Sequence, residues 1–187
     1  MTVQTLRRDP VAAPTIRYAG EDHEDRAAVD SLIDAAFGPG RFAKTAERLR
    51  EGNAPRGDLS ICARADGELI GAVRLWPVRI GGTAAIFLGP IAVEAGWRKH
   101  GIGAELVVRA CTAAAAAGEK IVILVGDLPF FGPLGFERAP AVVRLPAPVD
   151  VGRVLWRGLL DGALDGVDGL VTVPSRARML PIAGEGA

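Results

Sequence analysis

Three largely apolar runs separated by two pairs of turn-forming residues constrain the fold of this chain more than any other feature. The runs are residues 59–65, 68–80 and 83–93. Asp66-Gly67 and Gly81-Gly82 separate them, and such pairs connect antiparallel strands in tight hairpins. The sequence therefore predicts an antiparallel meander of three strands. Gly89-Pro90 is expected to interrupt the last strand and splay it from a neighbour, because proline has no N–H and glycine marks bulges.

A helix and a buried strand are predicted to follow the meander. One apolar face runs along the helix and is formed by Ile102, Leu106, Ala110, Ala113, Ala114 and Ala117. Gly118 ends the helix, and the uninterrupted apolar run at residues 121–125 is typical of a strand buried on both faces. Strand, loop, helix and strand form a crossover unit. The predicted fold class is therefore α/β (α+β), with a mixed sheet and flanking helices.

The remaining segments predict elements on both sides of this unit. Before the meander we expect a strand at residues 15–18, a helix that begins in the acidic run 21–25, and a short helix at residues 43–50. After the buried strand we expect strands at residues 142–145 and 169–174 and a helix at residues 151–164. Residues 1–14 are interpreted as a flexible leader and residues 15–187 as a single domain, in which residues 146–187 form a C-terminal extension.

Composition argues against several classes of protein. The 22 Lys and Arg residues balance the 22 Asp and Glu residues, and a net charge of zero argues against bulk nucleic acid as a partner. The sequence has no run of about 20 apolar residues, so no membrane span is predicted and a cytoplasmic protein is expected. Cys62 and Cys111 lie in apolar segments without metal-ligand spacing, which predicts buried free thiols and no zinc site.

The loop between the meander and the helix carries the clearest chemical signal. Its residues are Arg98, Lys99, His100, Gly101, Ile102, Gly103 and Ala104. The two glycines let backbone approach a ligand, and the N–H groups and dipole of a helix N-terminus favour a bound phosphate. Arg98 and Lys99 add positive charge. We therefore predict that these seven residues bind a phosphate-containing ligand.

Two other phosphate-binding motifs fit the loop less well. A Walker A loop needs a lysine and a hydroxyl residue after its second glycine, and nothing here supplies them. A dinucleotide-binding fingerprint needs a third glycine at the position of Leu106 and a parallel sheet in place of the meander. An ordinary turn between a strand and a helix is the remaining alternative.

The form Arg-x-x-Gly-x-Gly at residues 98–103 resembles the acetyl-CoA signature of the Gcn5-related N-acetyltransferase (GNAT) family. The order of elements over residues 15–145, which include the run Phe131-Gly132-Pro133-Leu134-Gly135-Phe136, also follows that family. Leu88-Gly89-Pro90-Ile91-Ala92-Val93 and Gly126-Asp127 are similar to its YhbS-like bacterial branch. The resemblance implies a GNAT fold, with a mostly antiparallel sheet of about six to seven strands, in which the fourth and fifth strands are splayed.

The resemblance also implies an N-acetyltransferase that uses acetyl-CoA or another acyl-CoA as co-substrate and needs no metal. The pantetheine arm would pair with the backbone of Ile91, Ala92 and Val93, and the Val93 N–H would face the oxyanion that develops during transfer. The acetyl group would pass directly to a primary amine in a ternary complex. Asp127, with Glu94 as the second choice, is the candidate base that takes a proton from the amine.

Two positions depart from the family pattern. Residues 85–88 are apolar where family members often have a glutamate, and Phe131 stands where the family commonly has a tyrosine that protonates the leaving thiolate. Phe131 is still expected beside the sulfur of the cofactor. Because a thiol has a pKa of about 8.5, a thiolate can leave without a strong proton donor.

These departures leave alternative functions open. One is a catalytically weak sensor or interaction module that binds acyl-CoA, and another is an acyltransferase that uses a longer acyl-CoA or an acyl carrier protein. For the leading interpretation the expected acceptor is a small-molecule or peptide amine. A monomer and a homodimer are equally compatible with the sequence.

Overall fold

The computed structural model of the chain describes residues 14–40 and 45–174. The predicted leader therefore lies outside the described residues except for Pro14. The first strand, β1, covers Ile16–Gly20 and is followed by helix α1, Arg26–Phe37. Helix α1 ends at Gly38, whose positive φ of 64° suits glycine. Helix α2 covers Thr45–Arg48, within the short helix predicted at residues 43–50.

The predicted meander is confirmed at the centre of the sheet. Its strands are β2, Ile61–Ala65, β3, Glu68–Ile80, and β4, Thr83–Val93. Val73 in β3 lies opposite Ile91 in β4, but Leu75 lies opposite Leu88, so β4 has one extra residue within this stretch. The extra residue falls at Gly89-Pro90, as the sequence predicted for a bulge.

The crossover unit is also confirmed. Helix α3 covers Ile102–Ala116 and strand β5 covers Ile121–Val125, which runs parallel to β4. Among the described residues the two strands pair only at Ile86 with Val122 and at Phe87 with Ile123. Beyond these two positions β4 and β5 separate, which is the predicted splayed pair.

The C-terminal part adds further strands to the sheet. The elements are α4, Leu128–Phe131, β6, Glu137–Arg138, β7, Val143–Arg144, β8, Val154–Gly158, and β9, Gly169–Thr172. Along its main path the sheet has the strand order β1-β2-β3-β4-β5-β8-β6, and β9 pairs with β3 and β7. The main path thus has seven strands, within the predicted six to seven.

The helix predicted at residues 151–164 is wrong. After a short 3-10 turn at Val151–Arg153 the chain forms strand β8, which pairs antiparallel with β5 from Val154 opposite Val125 to Gly158 opposite Ile121. Val154 and Trp156 point to one core and Leu155 to the other. A strand with a neighbour on each side buries three apolar residues in succession, and this pattern does not distinguish it from a helix.

Alternate residues of the sheet form two cores. On the α3 face, the buried side of α3 packs against strand residues that include Ile86, Leu88, Val122 and Leu124. On the opposite face, Phe87, Ile121 and Ile123 pack with Leu49 and with residues of β7, β8 and β9. Helix α1 packs on that opposite face too, where Val29 and Ile33 contact Ala72 and Ala92.

A buried arginine ties the first helix to the centre of the sheet. Arg74 lies in β3 between the two residues that flank the register shift, and it is 7% exposed. Its Nε donates to Glu21 Oε2 at 2.9 Å and its Nη2 to Glu21 Oε1 at 2.6 Å, and Nη1 bonds Asp30 of α1. The β1–α1 connection is thereby fixed to the strand that lies opposite the bulge.

Candidate functional site

A cleft of about 860 Å³ lies where β4 and β5 separate. Its volume is within the range of roughly 300–1,000 Å³ that is usual for small-molecule sites. The α3 face contributes Leu88, Ile91, Val93, Ile102, Leu124 and Phe131 to the lining. The opposite face contributes Phe87, Ala36, Ala46 and Val149. The cleft therefore passes through the sheet and is bordered by both cores.

The glycine loop forms one end of this cleft. Lys99 and Gly101 both have positive φ angles, 68° and 77°, and Gly101 immediately precedes α3. Glu105 N donates to the Gly101 carbonyl at 3.0 Å and begins the helical hydrogen-bond ladder. The N–H groups of residues 102–104 precede that ladder, so they are directed out of the helix N-terminus. This geometry suits a phosphate, as the sequence predicted.

The basic residues of the loop have different positions. Arg98 Nε donates to the Val93 carbonyl at 3.1 Å and so anchors the loop to the end of β4. Lys99 lines the cleft, whereas the His100 ring is directed to its own loop, with Nδ1 3.0 Å from the Arg98 carbonyl oxygen. His100 also packs edge-on against Trp97, with 6.2 Å between the ring centroids. His100 is thus a loop residue that does not line the cleft.

The backbone of β4 presents hydrogen-bonding groups to the gap. Glu94 N donates to the Ile70 carbonyl of β3 at 2.9 Å. In an antiparallel ladder such pairs alternate, so Ala92 also faces β3, whereas Ile91 and Val93 direct their N–H and C=O groups to the gap. Three backbone positions were predicted to contact the cofactor. Ile91 and Val93 face the cleft, whereas the backbone groups of Ala92 face β3.

Leu88 is a site residue that the sequence analysis missed. Leu88 lies opposite Leu75 of β3. The Leu75 N–H donates to Ser60 Oγ and the Leu75 carbonyl accepts from Arg56 N, both on the side away from β4. By the same alternation the backbone groups of Leu88 face β5. Leu88 directly follows the last residue of β4 that pairs with β5, so it lies where the strands part. No sequence signal marks this residue, because the register decides it.

The two candidate bases lie at different places. Asp127 lines the rim of the cleft, 72% exposed in its side chain, and its Oδ1 is 3.1 Å from Nε of Arg153. Glu94 lies outside the cleft lining, and its carboxylate accepts the Gly96 N–H at 3.0 Å in the turn that precedes the loop. The structure thus brings Asp127, but not Glu94, to the site.

Phe131 lies in the cleft wall and in the core at once. It is 8% exposed and packs edge-to-face with Phe130 and Phe136, at centroid distances of 4.8 and 5.7 Å. A Cβ placed on Gly126 would lie 2.7 Å from Phe131 Cδ2, so the ring uses space that only glycine leaves. Phe130, in contrast, is 45% exposed and lines the cleft beside Gly103, a position that the sequence did not predict.

The opposite end of the cleft carries an arginine that the sequence analysis also missed. Arg50 Nη1 donates to Glu47 Oε2 at 2.9 Å, and the guanidinium carbon lies 5.5 Å from the centroid of the Phe87 ring. Glu47 lies in α2 and Arg50 in the turn after it, and their side chains are only 13% and 12% exposed. Their approach to Phe87 is a tertiary contact, so a sequence pattern could not reveal it.

Other groups contribute no chemistry to the cleft. Cys62 and Cys111 are free and buried, as expected, and burial raises the pKa of these thiols to about 12 and about 11. In residues 14–40 and 45–174 no three metal-ligating side chains come together. No helix in the described part of the chain is long and apolar enough to span a membrane.

The fold and the cleft together define a family. Residues 26–136 match the model of the acetyltransferase (GNAT) family, and they include α1, the meander, the glycine loop, α3 and most of the cleft wall. The chain belongs to the GNAT family of acetyltransferases. The predicted class of enzyme, an N-acetyltransferase, and the predicted GNAT fold are thereby confirmed.

Individual relatives support the predicted branch of the family. The chain is 30% identical to the uncharacterized N-acetyltransferase YhbS of Escherichia coli K12 over 151 residues, which cover 79% of this chain and 89% of YhbS. The crystal structure of E. coli YhbS in complex with CoA matches with a TM-score of 0.73 and 28% identity, over 90% of this chain and 93% of that one.

A more distant structure shares the fold. A GNAT family acetyltransferase from Brucella melitensis, solved in complex with acetyl-CoA, matches with a TM-score of 0.56 and 24% identity. The match covers 82% of this chain and 100% of that one.

Proposed function

We propose that this protein transfers an acyl group, most often acetyl, from acyl-CoA to a primary amine within a ternary complex. The observation that carries the proposal is the cleft between β4 and β5, which has a phosphate-type loop at one end and borders both faces of the sheet. A cofactor that enters along one face can then meet an acceptor from the other. The CoA complex of the similar E. coli YhbS supports the choice of cofactor.

The cofactor would lie along β4. Its pyrophosphate is bound by the N–H groups of residues 102–104, with Arg98 and Lys99 nearby for charge. The pantetheine amides pair with the backbone groups of Ile91 and Val93 that face the gap. The thioester then reaches the level of Leu88, where β4 and β5 part.

In the reaction the amine lone pair attacks the thioester carbonyl carbon, and a C–N bond forms while the carbonyl oxygen becomes an oxyanion. The C–S bond then breaks, and its electron pair leaves with the sulfur. The amine proton goes to a base and from there to solvent, and the CoA thiolate takes a proton from solvent, so the products are the amide and the CoA thiol. Val93 N–H was the predicted oxyanion donor, and Ile91 N–H faces the same gap closer to the point of separation.

Asp127 is the proposed base because its carboxylate lies at the rim of the cleft. It accepts the amine proton directly or through water. Phe131 offers no proton to the departing sulfur, so the thiolate leaves unaided and takes its proton from solvent. The absence of a hydroxyl on this ring is also what favours the second candidate function, an acyl-CoA-binding sensor with little turnover.

The test combines a loop variant with two assays. Gly101→Glu places a carboxylate where the pyrophosphate is proposed to bind, so we expect acetyl-CoA affinity measured by calorimetry to fall by about tenfold or more. Gly118→Glu is the matched control: Gly118 has a similar φ of 83° after the other end of α3, and a Cβ added at either glycine would meet no neighbouring atom within 4 Å. A folded Gly101→Glu protein with wild-type affinity would contradict the cofactor assignment.

Release of CoA is then measured with the wild-type protein over a panel of amines. Turnover with any primary amine supports the transferase. Tight binding of acetyl-CoA without turnover across the whole panel would instead favour the sensor.

A further inference from the structure

The charged groups that line the cleft are distributed unevenly. Among the described lining residues they are Arg50, Arg98, Lys99, Asp127 and Arg153. Arg98 and Lys99 belong to the glycine loop, and Asp127 is ion-paired with Arg153 at the rim. The fifth charged group is the guanidinium of Arg50, which is paired with Glu47 and lies on the face of the sheet opposite to α3.

Apolar side chains line the cleft on the same face of the sheet as that guanidinium. They are Ala36, Ala46, Phe87 and Val149. Phe87 is 1% exposed and forms the floor beneath the arginine. A ligand bound here therefore meets a mostly apolar surface that contains one guanidinium group, the one paired with Glu47.

Arg50 is held in a defined position beside the point where the strands separate. Glu47 accepts a hydrogen bond from Nη1, and the Phe87 ring lies below the guanidinium. Its Nη2 lies 3.5 Å from where a Cβ on Gly89 would be, so the guanidinium reaches the bulge of β4. In the proposed reaction the acceptor must approach this bulge.

We propose that the acceptor is a small amine with an apolar body and a carboxylate, and that Arg50 binds the carboxylate. This inference rests on the proposed acetyl transfer and names its substrate class. A guanidinium repels an ammonium group but binds a carboxylate through charge-assisted, often bidentate, hydrogen bonds. The apolar lining accommodates the body of the substrate, as it would the side chain of an apolar amino acid. The acceptor is small because it shares about 860 Å³ with the pantetheine arm.

The experiment compares amines that differ only in the carboxylate. L-phenylalanine is paired with phenethylamine, and L-leucine with isopentylamine. Binding of each to the full-length protein is measured by calorimetry with and without saturating CoA, and kcat/KM is measured with acetyl-CoA. We expect the carboxylate-bearing member of at least one pair to bind about tenfold more tightly or better, and to have a correspondingly higher kcat/KM.

Arg50→Gln should remove this preference and leave the affinity for acetyl-CoA within about twofold of wild type. Arg48→Gln is the matched control, because Arg48 lies only two residues before Arg50 but forms an exposed pair with Glu51. Since Arg50→Gln leaves the Glu47 carboxylate without this ion pair, the double variant Glu47→Gln/Arg50→Gln repeats the test with the charge balanced. It too should show no preference.

Equal binding within both pairs, tighter binding of the amines that lack a carboxylate, or a preference that survives in both Arg50 variants would each overturn the inference. Failure of acetyl transfer has a different signature. If carboxylate-dependent binding is present and lost in the Arg50 variants while no acceptor releases CoA, the acceptor site stands and the proposed transferase activity does not.

Discussion

Phe131 shows how one side chain serves both the core and the cleft. Its ring is fixed between Phe130 and Phe136 and above Gly126, while it still contributes to the cleft lining. A para-hydroxyl on this ring would therefore meet either the cofactor or the core. The two outcomes differ in both affinity and rate.

We expect Phe131→Tyr to keep acetyl-CoA affinity near the wild-type value and to hold or raise the rate of the chemical step by less than about tenfold, since a thiolate leaves readily without a proton donor. The measurement is single-turnover release of thiol with the best acceptor, together with calorimetry of acetyl-CoA. Phe136→Tyr is the control, because Phe136 is 3% exposed and does not line the cleft, so a hydroxyl there should lower stability without a gain in rate. A large loss of acetyl-CoA affinity in Phe131→Tyr would show that the ring is only a core residue.

Individual site residues could be predicted where the signal is local. The glycine loop could be recognised because its glycines, charges and helix start lie within seven neighbouring residues. Arg50, Phe130 and Leu88 could not, because Arg50 and Phe130 reach the cleft through tertiary packing and Leu88 through strand register. The same distinction separates Asp127, which the end of β5 brings to the rim, from Glu94, which stays in its own turn.

At the scale of elements, hairpins were easier to predict than strands with distant partners. The ends of β3 and β4 agree with the sequence because Asp66-Gly67 and Gly81-Gly82 determine them locally. Strand β8 was mistaken for a helix because its partner β5 lies far earlier in the chain and both of its faces are buried. Periodicity alone contains no information on such a partner.

The packing of α4 on the end of β5 is a second element-scale feature, and it depends on Gly126. We expect Gly126→Ala to destabilise the protein by about 1–3 kcal/mol, because the added methyl group would overlap the Phe131 ring. Gly132→Ala is the control: a Cβ there would lie 3.6 Å from Leu128 Cδ1, an ordinary contact, and the backbone is helical. Its stability should be unchanged or higher by up to about 1 kcal/mol. Equal stability of the two variants in urea unfolding would refute this explanation.

At the scale of the whole molecule, Arg74 links the N-terminal elements to the strand pair that borders the cleft. Glu21 and Arg74 are almost completely buried, with side chains 4% and 9% exposed, so each depends on the other for compensation of its charge. Asp30 extends the link to α1. The position of α1, which provides Ala36 and Phe37 to the cleft, thus depends on an ion pair distant from the glycine loop.

We expect Arg74→Met to lower the free energy of unfolding by about 3–5 kcal/mol, because it leaves the buried Glu21 carboxylate without its partner. The double variant Glu21→Gln/Arg74→Met should recover part of this loss. Arg48→Met removes an exposed partner of Glu51 and should change stability by less than about 0.5 kcal/mol. Urea unfolding of the four proteins provides the comparison, and a loss in Arg74→Met as small as that in Arg48→Met would contradict the role of the pair.

The late position of β8 has a consequence for a chain still attached to the ribosome. The GNAT family match ends at residue 136, but the strand that covers the outer edge of β5 begins only at Val154. Until that segment emerges, the apolar strand at the cleft wall has an open edge that can pair with other nascent chains. A fragment cut at the family boundary would keep this exposed edge permanently. The segment after residue 136 therefore shields the acetyltransferase core from pairing with its neighbours.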